Sequence, residues 1–180
     1  MAIYRDVSDS SMFASEITWC YNTGLLRGWP DGTFRPLSPV ARDAMAVVMH
    51  RIAGQPEIRG GGPNFSDVAP GQQFAAEIGW VQSRGLLNGW SDGTFRPLAP
   101  IARDATCAVF YRAAGSPGYT PPAASPFRDV RPTQQFYTEM CWAQSRGITT
   151  GYRDGTMRPT TSINRDAVAA FLYRFDQATG

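Results

Sequence analysis

Asp31-Gly32-Thr33-Phe34-Arg35-Pro36 is read again 61 residues later as Asp92-Gly93-Thr94-Phe95-Arg96-Pro97, and 62 residues after that as Asp154-Gly155-Thr156-Met157-Arg158-Pro159. A fixed period along a whole chain means repeated supersecondary units, and any site built on one unit has three counterparts. Asp-Gly is a turn signal, because the Asp carboxylate binds local backbone donors and glycine admits positive φ. Pro36, Pro97 and Pro159 then keep the Thr-Phe-Arg segment out of a helix.

Upstream of this loop each copy opens on aromatic-x-Asp-Val: Tyr4-Arg5-Asp6-Val7, Phe65-Ser66-Asp67-Val68 and Phe127-Arg128-Asp129-Val130. Phe13, Phe74 and Phe136 follow, each starting an apolar pattern of helical period. Phe13, Ile17 and Cys20 share a face, as do Phe74, Ile78 and Val81, and Phe136, Met140 and Ala143. Trp19, Trp80 and Trp142 widen the stripe and are expected to pack between neighbouring copies. Gly24, Gly85 and Gly147 are expected to stop this helix in a left-handed turn.

Downstream, a second helix begins near Arg42, Arg103 and Arg165, with an Asp in its first turn that suits the helix dipole. It is predicted to run to Arg51, Arg112 and Arg174, which would offset its C-terminal dipole, and Gly54 and Gly115 end the first two copies. The copies are bounded as residues 1–54, 64–115 and 126–180, with Gly- and Pro-rich linkers at 55–63 and 116–125. One unit of roughly 55 residues is marginal alone, so the three are expected to form one cooperative domain. The fold class is mainly α: three helix-loop-helix repeats, expected to close around a pseudo-threefold axis with clefts between neighbours.

Composition narrows the function. The chain is 43% hydrophobic with five Trp, which fits a folded globule. A net charge of +2 argues against nucleic acid as partner. All 17 basic residues are Arg. Coding bias in a GC-rich genome and a need for planar forks both account for that, but bias does not explain arginines that recur in register. No stretch reaches the ~20 apolar residues of a membrane span. No secretory signal precedes the first copy, so the chain is expected to be a mature piece or a cut-out module of something larger.

Cys20 and Cys107 take positions held by small apolar residues in other copies and read as core; Cys141 is less defined. The lone histidine, His50, aligns with Tyr111 and Tyr173 and reads as a helix-surface variant. No Ser or Cys recurs beside a base, and the repeated carboxylates are explained by turns and helix starts. No enzyme, cofactor or metal is expected; each loop offers a single carboxylate, unlike an EF-hand.

The string Phe65-x-Asp67-Val68, Trp80, Gly85, Gly89-Trp90-x-Asp92-Gly93-Thr94-Phe95-x-Pro97, Ile101-x-Arg103 resembles the S-layer homology domain, and the other two copies match it equally well. The resemblance implies a three-pronged spindle with a central helical bundle. It implies a non-covalent anchor at the bacterial cell surface, outside the cell, and a secondary cell-wall polysaccharide as ligand, often ending in a pyruvate-ketal amino sugar. Its second helix commonly opens Ile-Thr-Arg-Ala-Glu, whose Arg is implicated in binding; by position this Arg is Arg42, Arg103 and Arg165. The chain departs by placing Ala41, Ala102 and Asn164 for the Thr, and Ala44, Ala105 and Ala167 for the Glu. A Thr-x-x-Glu capping box is therefore absent, although Asn164 is expected to cap α-helical amides in the third copy.

The expected site is an acidic-glycan cleft. Arg42, Arg103 and Arg165 face a carboxylate with a planar fork, beside free helix N-terminal amides. Trp29, Trp90 and Tyr152 are candidates for stacking on a sugar ring, against plain rim packing. Gly28, Gly89 and Gly151 would let the backbone approach the ligand. Asp31, Asp92 and Asp154 read as turn-formers before ligand contacts, and Arg35, Arg96 and Arg158 as pins holding the loop to a carboxylate. The three clefts are expected to be unequal, because Asn164 and Tyr152 break the pattern. The competing readings are peptidoglycan binding and S-layer self-assembly or another protein interaction.

Overall fold

The computed structural model describes residues 3–59 and 62–180. Its elements are six helices: α1 (Ala14–Thr23), α2 (Arg42–Ile52), α3 (Ala75–Ser83), α4 (Arg103–Ala113), α5 (Tyr137–Ser145) and α6 (Arg165–Thr179). Among the described residues the extended segments make only isolated antiparallel bridges, and no helix is long and apolar enough to cross a membrane. The chain is thus mainly helical, as its periodicity requires.

The helices that pack together come from different sequence copies. α2 packs on α3, α4 on α5, and α6 of the third copy on α1 of the first. Backbone contacts divide the chain into two compact units, Met1–Pro39 with Ala102–Gly180, and Val40–Ile101. In the larger unit Ile17, Cys20, Cys107, Phe110, Met140, Ala143 and Ala169 are buried; in the smaller, Met45, Val48, Met49, Ile78, Val81 and Phe95 are. All three cysteines are buried free thiols. Burial pushes Cys20 and Cys107 up to about 12, which makes both inert at neutral pH. The tryptophans join neighbouring copies as expected: Trp80 stands edge-on to His50, Trp142 to Tyr111 and Trp19 to Tyr173.

Four local expectations need correction. Phe13, Phe74 and Phe136 do not sit inside the helix; they cap it in the left-handed region, with φ of 59°, 64° and 61°. Their carbonyls accept the first helical bonds, from Ile17, Ile78 and Met140. Asn164 makes no side-chain capping bond. The amide of Arg165 is already donated to Ser38 O and that of Asp166 to Pro36 O, so the orphan donors a cap would serve are taken. Arg174 does not close α6, which continues to Thr179 with no basic residue in its last turn. Gln177 stands where Gly54 and Gly115 interrupt the other copies, and glutamine sustains a helix that glycine ends. Finally, His50 is half-buried rather than a surface variant, packed on Trp80 with Nε2 2.8 Å from Pro56 O.

Candidate functional site

The Asp-Gly loop is built the same way three times. The Asp92 carboxylate accepts bonds from the Thr94 amide (3.0 Å) and hydroxyl (2.6 Å), and from Arg96 Nη2 at 2.9 Å. Asp31 with Thr33 and Arg35, and Asp154 with Thr156 and Arg158, repeat this set. Gly32, Gly93 and Gly155 take φ near +79° to close the turn. The pins expected of Arg35, Arg96 and Arg158 are present, and their partner is the aspartate of their own loop.

The threonine hydroxyl first, and then the loop amide and arginine, hold all three aspartates down to about 2. A carboxyl lowered on folding stabilises the fold above its ordinary value of 3.8, and that contribution is lost as pH falls toward 2. Asp43, Asp104 and Asp166 have the opposite sign, because burial raises them. Asp92→Asn should therefore flatten the part of the acid limb that lies between pH 3.8 and 2. Thermal melts of the parent and variant across that range measure the difference, and identical slopes would contradict the assignment.

Sequence reading gave no job to the aspartate of the opening motif. Asp67 accepts the amides of both Phe95 (2.7 Å) and Arg96 (2.7 Å), and Asp6 and Asp129 do the same at Phe34 and Arg35, and at Met157 and Arg158. These bonds hold Arg35, Arg96 and Arg158 at φ of 53–57°, a left-handed backbone that a non-glycine residue adopts only under outside constraint. The signal was there: the motif aspartate recurs in step with the loop.

Gly28, Gly89 and Gly151 are required by the chain's own packing. A Cβ on Gly28 would collide with the Tyr4 ring and Thr33 O, and one on Gly89 with the Phe65 ring and Thr94 O. A Cβ on Gly151 would come within 2.8 Å of Thr156 O and 3.0 Å of the Phe127 ring.

Arg42, Arg103 and Arg165 are each only 6% exposed, at the first position of the second helix. None forms an ion pair with a carboxylate among the described residues. Arg42 Nε donates to Phe95 O (2.8 Å) and Nη2 to Asn88 O (2.7 Å). Arg165 Nε donates to Phe34 O (2.7 Å) and Nη2 to Arg27 O (2.6 Å). Each guanidinium rests on the loop aromatic: Arg42 lies 4.1 Å from the Trp90 ring centroid, Arg165 4.2 Å from Trp29 and Arg103 4.8 Å from Tyr152. The loop arginine presses on the same ring, Arg96 at 4.4 Å, Arg35 at 4.3 Å and Arg158 at 3.9 Å. Each aromatic is thus the contact between two cations, with cation–π attraction holding both. Burial lowers Arg42 and Arg165 to about 10, so both stay charged at neutral pH.

The helix N-termini do not offer free amides. Arg42 N donates to Ala99 O, Asp43 N to Pro97 O, and Ala44 N to the Asp43 carboxylate. Arg103 and Asp104 donate to Thr161 O and Pro159 O, and Ala105 to the Asp104 carboxylate. Backbone carbonyls of the neighbouring copy have taken the place of the capping box, so any anion here must be held by side chains.

The third loop differs. Among the described residues the Arg103 side chain makes one hydrogen bond, Nε to Met157 O at 2.9 Å. Thr150 stands where Arg27 and Asn88 offer their carbonyls. Gly151, next to it, has φ of +66°, while Gly28 and Gly89 lie outside the left-handed region. That rotation turns the Thr150–Gly151 peptide plane, and with it the carbonyl that would have met Arg103. Buried Thr149, which replaces Leu26 and Leu87, supports the new orientation by accepting the Gly151 amide at 3.3 Å. Among the described residues the terminal nitrogens of Arg103 therefore have no hydrogen-bond partner. They lie at a concavity of about 910 Å³ that also takes in Tyr152, Thr161, Ser162, Asn164 and Phe171. Four arginines and two aspartates line it, which leaves its charge positive.

The S-layer homology domain pattern matches the chain at residues 3–46, 64–105 and 126–169. Two proteins of Acetivibrio thermocellus are similar to it over 83% of its length at 31% identity: cell surface glycoprotein 1 and the cellulosome-anchoring protein. The chain spans 7% of the first and 34% of the second. With the repeat, the helix pairs and the arginine-aromatic loops in agreement, the chain belongs to the S-layer homology domain family and carries three tandem copies of the domain.

Proposed function

We propose that this chain is a non-covalent anchoring module that holds its parent protein to the outside of a bacterial cell wall by gripping an acidic group of a wall polysaccharide. The carrying observation is Arg103: a largely buried residue whose guanidinium has, among the described residues, no carboxylate partner and two unpartnered terminal nitrogens beside a positively lined concavity. These nitrogens are not buried, so water reaches them, and a carboxylate that meets both gains two charge-assisted hydrogen bonds in a planar fork. A pyruvate ketal on a sugar presents that group. Asn164, Thr161 and Ser162 offer neutral partners for hydroxyls in the same concavity.

Family membership and the cell-surface and anchoring names of the relatives support the location. In the clefts of Arg42 and Arg165 the same arginine is already satisfied by two carbonyls, so these bind more weakly or serve the fold. Isothermal titration against purified wall polysaccharide tests the reading. Binding should appear with the native polymer and disappear once mild acid has removed its ketal groups. Undiminished binding after that treatment, or binding to bare peptidoglycan alone, would overturn it; self-association with neither polymer bound would point to a lattice role.

A further inference from the structure

The concavity beside Arg103 is larger and more positive than one acidic group requires. Its volume of about 910 Å³ lies near the top of the range, roughly 300–1,000 Å³, that encloses a drug-sized ligand. All of its lining belongs to the larger compact unit. It follows α6, with Ala167 and Ala170 as a floor of short side chains. From Ala167 to Arg174 that helix rises about 10 Å, at about 1.5 Å per residue.

The four arginines of the lining are in different states. Arg158 is paired with Asp154 at 3.0 Å, so these two charges cancel locally. Arg103 lies 5.7 Å from the Phe171 ring. Arg174, about one turn further along α6, lies 5.7 Å from a different ring, that of Phe13. It is half-buried, and among the described residues it makes one hydrogen bond, a long one from Nη1 to Ile148 O at 3.4 Å, and no ion pair. Arg153 is exposed and also without an ion pair among the described residues. It stands where the other copies carry Pro30 and Ser91, so the third loop brings a cation that those two lack. The remaining carboxylate, Asp166, is turned back on its own helix and accepts the Ala167 amide at 2.6 Å. One acidic group on Arg103 therefore leaves the concavity still positive.

We propose, resting on the anchoring role put forward for the chain, that the third cleft holds a stretch of polysaccharide bearing two acidic groups, one on Arg103 and the next on Arg174. A cleft lined by one sign of charge gathers ligands of the other, and its arginines repel one another until anions lie between them. Arg153 adds to that field at the surface. Once the first acid is seated on Arg103, the second reaches Arg174 as an intramolecular event, so its contact multiplies the affinity.

Enzymatic digestion of the native polysaccharide, followed by anion exchange, supplies fragments with one and with two acidic groups as probes. Mass spectrometry tells whether the second group is a carboxylate or a phosphodiester. In isothermal titration the two-acid fragment should bind the parent chain at least about 10-fold more tightly than the one-acid fragment. Arg174→Gln should cut that advantage to about twofold, the statistical gain from offering two acids to one arginine. Arg174→Lys should keep part of it, because the charge remains without the fork. Arg153→Ser, which installs the residue of the second copy on an exposed position, should lower it by a smaller factor. Thermal melts of each variant check the fold. An advantage of no more than about twofold in the parent chain, or one that survives Arg174→Gln unchanged, would overturn the two-acid cleft and leave the anchoring role standing. Failure of both fragments to bind the parent chain would overturn the anchoring role and the two-acid cleft together.

Discussion

Arg103→Ala should reduce affinity for the acidic wall polysaccharide at least about 100-fold, because it removes two charge-assisted hydrogen bonds of ~1.5–3 kcal/mol each. Arg103→Lys should recover only part of the loss, since an ammonium keeps the charge without the planar fork. The same substitution at Arg42 or Arg165 should act mainly on the fold. Each of those arginines satisfies two carbonyls and covers two aromatic rings, Trp90 and Phe95 in one case and Trp29 and Phe34 in the other. Alanine there strands both carbonyls and opens a gap, at a cost of about 3 kcal/mol. Titration calorimetry and thermal melts on the three single variants separate the two kinds of effect. Three equal losses of affinity with equal melting temperatures would refute the assignment of Arg103 as the member of the set whose terminal nitrogens are open to a ligand.

Gly89→Ala should be the most damaging small substitution in the chain, with Gly28→Ala close behind. The added methyl group has nowhere to go: one side is the ring of Phe65 or Tyr4, the other a carbonyl of the loop itself. Neither obstacle is the loose end of a flexible side chain. The cost should reach the top of the overpacking range, about 3 kcal/mol, or roughly 6–12 °C in melting temperature for a chain of this size. Gly85→Ala is the control. Gly85 also has positive φ, 64°, but a Cβ there meets nothing, so only backbone strain of ~1 kcal/mol is added. Circular-dichroism melts decide the matter. If Gly89→Ala melts no lower than Gly85→Ala, the close approach is not limiting.

The helices were legible because burial leaves a periodic trace. The step from polar to apolar at Arg42, Arg103 and Arg165 marks the true start of α2, α4 and α6. The loops were legible because Asp-Gly-Thr is short-range chemistry: the carboxylate, the hydroxyl and the amide lie within three residues of one another. What escaped was long-range partnership. Asp67 binds amides 28 and 29 residues away, and nothing in a local window says so. The capping box looked merely absent, while Pro97 O and Ala99 O had taken over its donors from across the loop. The Asn164 cap failed for the same reason, because its donors had been claimed elsewhere.

By itself the sequence determined that one unit is used three times, that each unit is two helices around a rigid turn, and that an arginine and an aromatic residue recur at the same places. Those are matters of residue type and spacing, which survive without coordinates. Only the tertiary structure decided which arginine is available. Arg42, Arg103 and Arg165 occupy equivalent positions, yet two are tied to paired carbonyls and one is not. The difference is the direction of a single peptide plane beside Gly151. Glycine permits both directions of the carbonyl, and the buried Thr149, which accepts the Gly151 amide where Leu26 and Leu87 offer no acceptor, favours this one, a contact visible only once the chain is folded.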